Sequence, residues 1–173
     1  MATPTSFRAN GIVAQTLGFE AARGELLRLT RQRYIATLAT ASPEGQPQAS
    51  PMRFAVTDEF EIVMGTLHTS RKFANLQRNP KVTVLVWDSL FSIQIDGLFD
   101  QPDGADLAGL RDVFAHEQPL EARIRAGRPT HVYFRIRPLW ARYSDFMDEP
   151  GRVLTLDFER QTETRGTWPV VTQ

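Results

Sequence analysis

Between Phe19 and Arg33 the apolar residues Phe19, Ala22, Leu26 and Leu29 recur at three- and four-residue intervals, while Glu20, Arg23, Glu25, Arg28 and Arg31 take the other positions. That period predicts a helix with one buried stripe. At Tyr34 the period changes to two, with Tyr34, Ala36 and Leu38 on one face and Ile35, Thr37 and Ala39 on the other. Both faces are nearly apolar, as in a barrel wall covered from outside. Ser42-Pro43-Glu44-Gly45 then places Pro and Gly where a tight hairpin turn uses them. Gln46–Val56 reads as the returning strand, and its Pro47 and Pro51, unable to donate to a ladder, predict an edge, a bulge or a disrupted stretch. A third strand is expected over Phe60–Thr66 and a helix over Arg71–Arg78, which must stop by Asn79 because Pro80 pushes that residue out of helical geometry.

Lys81–Trp87 and Phe91–Gln101 are the most strand-like runs, joined by Asp88-Ser89-Leu90. Asp103 is placed to cap a helix running to Glu117, with Leu107, Leu110 and Phe114 on its buried stripe. Gly127-Arg128-Pro129 breaks the chain, Thr130–Arg137 alternates with Val132, Phe134 and Ile136 inward, and a final strand is expected near Arg152–Phe158. Six or seven strands with two or three helices between them make the fold class mainly β: a largely antiparallel barrel with flanking helices. Residues 1–18 show no period and read as a weakly ordered arm, leaving 19–173 as a single domain.

Composition narrows the function. Lys plus Arg and Asp plus Glu are 20 each, a formal net charge of zero, whereas nucleic acid or an anionic membrane as main partner usually needs a basic excess. There is no cysteine, which removes disulfide, thiolate and Cys-metal chemistry together. No run approaches the ~18 apolar residues of a membrane span, and the N-terminus lacks a charged region followed by an apolar run, so the expected location is cytoplasmic. His68, His116 and His131 show no metal-ligand spacing, and no dinucleotide fingerprint, Walker loop, nucleophile elbow or paired catalytic carboxylates appear.

The segment from Gly65 to Pro80 carries the chemistry. A strand ends at Gly65-Thr66, a short loop presents hydroxyls and cations, and a short amphipathic helix begins. Free backbone N–H groups at a helix start, Thr69 or Ser70 as cap and donor, and Lys72 as a point charge favour a bound phosphate. The plainer reading has Ser70 only capping the helix, with Arg71 and Lys72 solvated.

The Ser70-Arg71-Lys72 helix start, followed by Asn79-Pro80 and a β-branched strand and preceded by strand, Glu44-Gly45 turn and strand, resembles the FMN-binding split-barrel family typified by pyridoxamine 5'-phosphate oxidase. The resemblance is good over roughly residues 30–100 and looser elsewhere. It implies that Ser50, Pro51, Met52 and Arg53 run alongside the flavin ring and offer it backbone groups, which an edge strand interrupted by prolines has free. It also implies that Gly65, Thr66, Thr69, Ser70, Arg71 and Lys72 hold the ribityl phosphate, and that Gln94 reaches a flavin bound with the partner subunit. For Gln94 a structural hydrogen bond is the alternative. Trp140 and Arg142, with Tyr143, match a region that similar proteins bring across a dimer interface, although core packing explains a tryptophan there equally.

The implied protein is a homodimeric oxidoreductase that binds FMN at its interface and acts on a small molecule. Strands apolar on both faces, with Val82, Val84 and Val86 against Leu85 and Trp87, also call for a dimer. Two alternatives keep the fold. One is a deazaflavin-dependent reductase, with Arg8 and Arg23 available to a longer cofactor tail; the other is a non-catalytic flavin- or haem-binding protein. One departure bears on substrate: Ser50 and Ala55 stand where the oxidase pattern has arginine and lysine, and Gly65 replaces a tyrosine.

Overall fold

A computed structural model describes residues 18–126, 128–147 and 151–167. The expected arm therefore lies outside the described residues up to position 17, as does Gly127 of the expected break. The elements run α1 (Phe19–Arg31), β1 (Ile35–Ala41), β2 (Pro47–Val56), β3 (Ile62–Leu67), α2 (Arg71–Arg78), β4 (Lys81–Trp87), β5 (Phe91–Asp100), α3 (Gly104–Glu117), α4 (Pro119–Arg125), β6 (His131–Asp145), β7 (Arg152–Asp157) and β8 (Thr162–Thr167).

All pairings are antiparallel, in the order β3-β2-β1-β4-β5-β6-β7-β8, and an additional β3–β6 pairing closes six of the strands into a barrel. The expected barrel is present with six strands, and β7 and β8 extend the sheet beyond it, giving eight strands among the described residues. Closure depends on β6, which pairs with β5 along one edge and is long enough for the other edge to serve two partners: its first half pairs with β3 and its second half, Trp140–Ser144, with β7. The ladder between β5 and β6 shifts register after Asp96, where Gly97 lies opposite Pro138. A β-carbon at Gly97 would collide with the Arg137 carbonyl oxygen and sit 2.8 Å from Ile136 Cγ2, so only glycine lets the strands approach there.

Alternation sorts the walls as the sequence predicts. Val82, Val84 and Val86 point inward with Leu38, Phe54, Met64, Ile93, Ile95 and Phe134. α1 closes one end through Ala22, Leu26 and Leu29, and Phe19 meets Phe158 edge-on at 5.5 Å between ring centroids. A small second cluster, Ala55, Val63, Leu110 and Phe114, fixes α3 to the outer face of β2 and β3. Asp103 makes no capping hydrogen bond to α3, contrary to expectation, so the helix is held by this packing.

The wall departs further from expectation: Ile35 and Trp87 on the outer face are 55% and 60% exposed in the single chain, and Tyr34, expected inward with Ala36 and Leu38, precedes β1 and is 61% exposed. The prolines of β2 occupy the part that pairs with β1 alone, since the β2–β3 ladder covers only Phe54–Val56. That half-strand is the disrupted stretch that the prolines predict.

Glu117 latches α3 to the barrel by accepting from the Val56 N–H at 3.1 Å and pairing with Arg31 at 3.3 Å. Burial outweighs these partners and raises its carboxyl above the ordinary 4.5. A raised folded-state value means that the group's contribution to stability is full below about 4.5 and is lost as pH rises through the raised value. Glu117→Gln removes that dependence. The stability of wild type relative to the variant, read from urea midpoints, should therefore fall as pH rises above about 4.5 and level off once the folded-state carboxyl has ionised.

Candidate functional site

α2 begins where the sequence reading places it. Ser70 is its N-cap, in extended geometry, and Ser70 Oγ accepts from the Phe73 N–H at 3.3 Å. Phe73, Asn75 and Leu76 bury one side of the helix, and the first turn carries no acidic residue. Ser70→Ala should therefore lower stability by about 1 kcal/mol, the usual cost of a lost hydroxyl cap, read as a shift in denaturant midpoint.

Side chains from three elements converge on that cap. Thr66 Oγ1, at the end of β3, lies 3.2 Å from Ser70 Oγ. From β2, Gln48 Oε1 accepts from Arg71 Nε at 3.0 Å and from Asn75 Nδ2 at 3.3 Å, and Gln48 Nε2 lies 3.5 Å from Ser50 Oγ. Asn75 also donates to Thr40 Oγ1 at 3.2 Å. Gln48 thus links Ser50, Arg71 and Asn75, while Thr66 and Ser70 contact each other; sequence reasoning passed over Gln48 although it shares a strand face with Ser50. Thr69 is exposed, and Lys72 is half-buried with no hydrogen bond or ion pair to a described residue. A helix start with two hydroxyls and two cations suits a dianion.

The remaining candidates fall elsewhere. Met52 is buried in the barrel core, which leaves its backbone alone available to a ligand. Arg53 and Pro51 face outward and are exposed. Gly65 lies on the outer face of β3 opposite Tyr133, and a side chain there would collide with Arg125 Nη1.

Gln94, half-buried, donates to Asp96 Oδ1 at 3.3 Å, as does Thr83 Oγ1 at 2.6 Å, so the structural hydrogen bond offered as its alternative exists. Arg142 stands opposite Gln94 and Trp140 opposite Asp96, so these three share the outer face of β5 and β6. Among the described residues, none of the hydrogen bonds that build the α2 cradle reaches them. What connects them is register: Pro51, Thr37, Leu85, Gln94 and Arg142 are successive partners across five strands, a single row on the outer face. Tyr34, Ile35 and Trp87 flank that row. Among the described residues no group of three or more His, Cys, Asp or Glu is arranged to hold a metal ion, and no helix is long and apolar enough to cross a membrane.

Comparison with known proteins fits this geometry. The structure is similar to a pyridoxamine 5'-phosphate oxidase-related, FMN binding protein from Nostoc punctiforme, with a TM-score of 0.67 and 16% identity over 90% of this chain and 99% of that one. It is also similar to a heme binding protein from Mycobacterium smegmatis, with a TM-score of 0.65 and 16% identity over 90% of this chain and 60% of that one. At these identities the likeness shows the fold, which is the split barrel of FMN-binding relatives. In sequence the chain is 33% identical over 119 residues to a pyridoxine/pyridoxamine 5'-phosphate oxidase from Bordetella pertussis, covering 66% of this chain and 54% of that protein. It thus spans about half the length of the curated relatives that it matches. The family model described as pyridoxamine 5'-phosphate oxidase matches residues 22–162, and by that match the chain belongs to the pyridoxamine 5'-phosphate oxidase family.

Proposed function

We propose that this protein binds FMN and serves as a cytoplasmic oxidoreductase on a small molecule. The observation that carries the proposal is the cradle at the start of α2: Thr66 and Ser70 hydroxyls and the Arg71 and Lys72 cations at a helix N-terminus, with no carboxylate in the first helical turn. Thr66, Ser70 and Lys72 hold the phosphate, while Gln48 fixes the Arg71 side chain from below. The one-sided stretch of β2 around Ser50, Pro51 and Arg53 offers backbone groups to the ring edge. When bound, the flavin supplies the two-electron chemistry, and the chain supplies binding, orientation and exclusion of water.

The reading includes a twofold homodimer. Exposed Tyr34, Ile35 and Trp87 beside the Pro51–Arg142 row give a second subunit an apolar surface to cover. Through that contact Gln94, Trp140 and Arg142 of one subunit would approach a flavin held by its partner. The proposal leaves out vitamin B6 oxidation specifically. Ser50 replaces an arginine of that pattern, and Ala55, in place of a lysine, is buried with Val63, Leu110 and Phe114.

Titration of the purified protein with FMN, followed by quenching of flavin fluorescence, tests the reading. Saturable binding of one FMN per chain is the expected result. A protein that binds no flavin overturns it, and a Soret band on haem addition in place of flavin binding would move the assignment to haem. Tighter binding of a deazaflavin would make that the cofactor.

A further inference from the structure

Four polar side chains join α2 to β1 and β2 in one hydrogen-bonded run. Thr40 and Gln48 are cross-strand partners in the β1–β2 ladder. Arg71 and Asn75, four residues apart, lie on one face of α2, and both reach that pair. Asn75 donates to Thr40 Oγ1 at 3.2 Å and to Gln48 Oε1 at 3.3 Å, while Arg71 donates from Nε to the same Gln48 oxygen at 3.0 Å. Thr40 and Asn75 are buried, so the inner end of the run is anchored beneath the helix and only its Arg71 end is exposed.

Two donors meet the Gln48 amide and only its oxygen can accept from them, so the side chain has one orientation, with Nε2 turned to Ser50 Oγ at 3.5 Å. Arg71 is thereby tied at a single atom. Its Nη1 and Nη2 make no hydrogen bond or ion pair with a described residue, which leaves the end-on edge of the guanidinium to a ligand. Two parallel N–H donors on that edge match two oxygens of a phosphate, a geometry that a lysine ammonium does not supply. An exposed arginine ordinarily gives up rotamer freedom when it takes a ligand. Here the bond to Gln48 removes part of that freedom before a ligand arrives.

We propose that Gln48 is a positioning residue for the cofactor phosphate: itself held by Asn75, it occupies Arg71 Nε and sets the guanidinium so that the Nη edge closes on the phosphate oxygens. Gln48 touches no part of the ligand and acts through Arg71 alone. A plain structural role is different, since Gln48 would then only fasten α2 to the barrel and every ligand would feel its loss alike. The identity of the ligand rests on the FMN reading, while the coupling of Gln48 to Arg71 does not.

The test is a double-mutant cycle on the full chain, with FMN and riboflavin as ligands in calorimetric titration. Gln48→Met keeps the length of the side chain and removes the acceptor. It should weaken FMN binding about fivefold or more and leave riboflavin affinity within about twofold of wild type. Arg71→Ala should weaken FMN binding at least as much, and adding Gln48→Met to it should change the affinity by no more than about twofold further, because the residue through which Gln48 acts is gone. Losses that multiply in the double variant, or that fall equally on riboflavin, overturn the proposal. So does an FMN affinity that Gln48→Met leaves unchanged. If Gln48→Met fails to fold, Arg71→Lys at its exposed position decides: lysine keeps the charge without the fork, so weakened FMN binding supports the proposal and wild-type affinity overturns it. If the wild type binds no FMN, the FMN reading fails and inorganic phosphate becomes the probe, followed at the Arg71 Nε–H signal by NMR. A saturable shift that Gln48→Met weakens about fivefold or more supports the positioning role. No shift, or one that the variant leaves intact, overturns it.

Discussion

Phe134→Ala should cost about 3–5 kcal/mol of stability, the range for removing a fully buried phenylalanine. Phe134 is completely buried on β6, opposite Met64 of β3, at the ladder that closes the barrel. Its ring lies 5.4 Å from that of Phe99, which in turn lies 6.1 Å from that of Phe73 on α2. The three rings join the closing strand to the helix that carries the cradle. Chemical denaturation should show the loss directly, with Phe134→Leu losing much less because most of the volume remains. In the alanine variant α2 should also exchange its amide hydrogens faster, since Phe99 loses the ring behind it. A loss under about 1 kcal/mol would mean that neighbouring side chains collapse into the vacated space and that the barrel closes without this contact.

Elements with a strict period and hard boundaries were legible in the chain. α2 has Ser70 to start it and Asn79-Pro80 to stop it, and its observed limits are those expected. β4 reads directly from Val82, Val84 and Val86, which an inward face requires. β8 was not legible, because Thr-Glu-Thr-Arg-Gly-Thr has no apolar alternation: backbone pairing to β7 holds it, and Glu163 and Arg165 satisfy each other at 3.0 Å. α4 was missed for a related reason. Its apolar residues Leu120 and Ile124 remain 63% and 48% exposed, so it has no buried stripe to give a period. The doubled role of β6 was hidden as well. Where Thr130–Arg137 was expected to end, the chain continues through Pro138 to Asp145, because the Gly97 irregularity lets β5 follow it.

Of the site, local chemistry was visible and long-range convergence was not. The hydroxyls and cations of the loop lie within seven residues of one another, from Thr66 to Lys72, and a helix start organises them. Gln48 reaches Arg71 across 23 positions, and Arg125 reaches Gly65 across a still longer stretch. Only the register of the strands and the fold of α3 and α4 bring those pairs together. Glycine at position 65 was the one trace of Arg125 in the chain, since it marks a place where something else occupies the side-chain volume.

Lys72→Ala should weaken FMN binding by about 1.5–3 kcal/mol, roughly a ten- to hundredfold rise in Kd, the range for losing a hydrogen bond to a charged group. Riboflavin, which has no phosphate, should bind almost as well to the variant as to the wild type. Lys72 makes no ion pair with a described residue and caps nothing, so stability should change by less than about 0.5 kcal/mol. That separates it from Ser70→Ala, in which the lost cap lowers stability while the lost hydroxyl lowers phosphate affinity, and the two effects arrive together. Isothermal titration with both ligands and both variants distinguishes the cases. Equal loss of FMN and riboflavin in Lys72→Ala would place the damage at the ring site or in the fold. No loss of either would return Ser70, Arg71 and Lys72 to a capped and solvated helix start, and the FMN phosphate would have to be held by other residues.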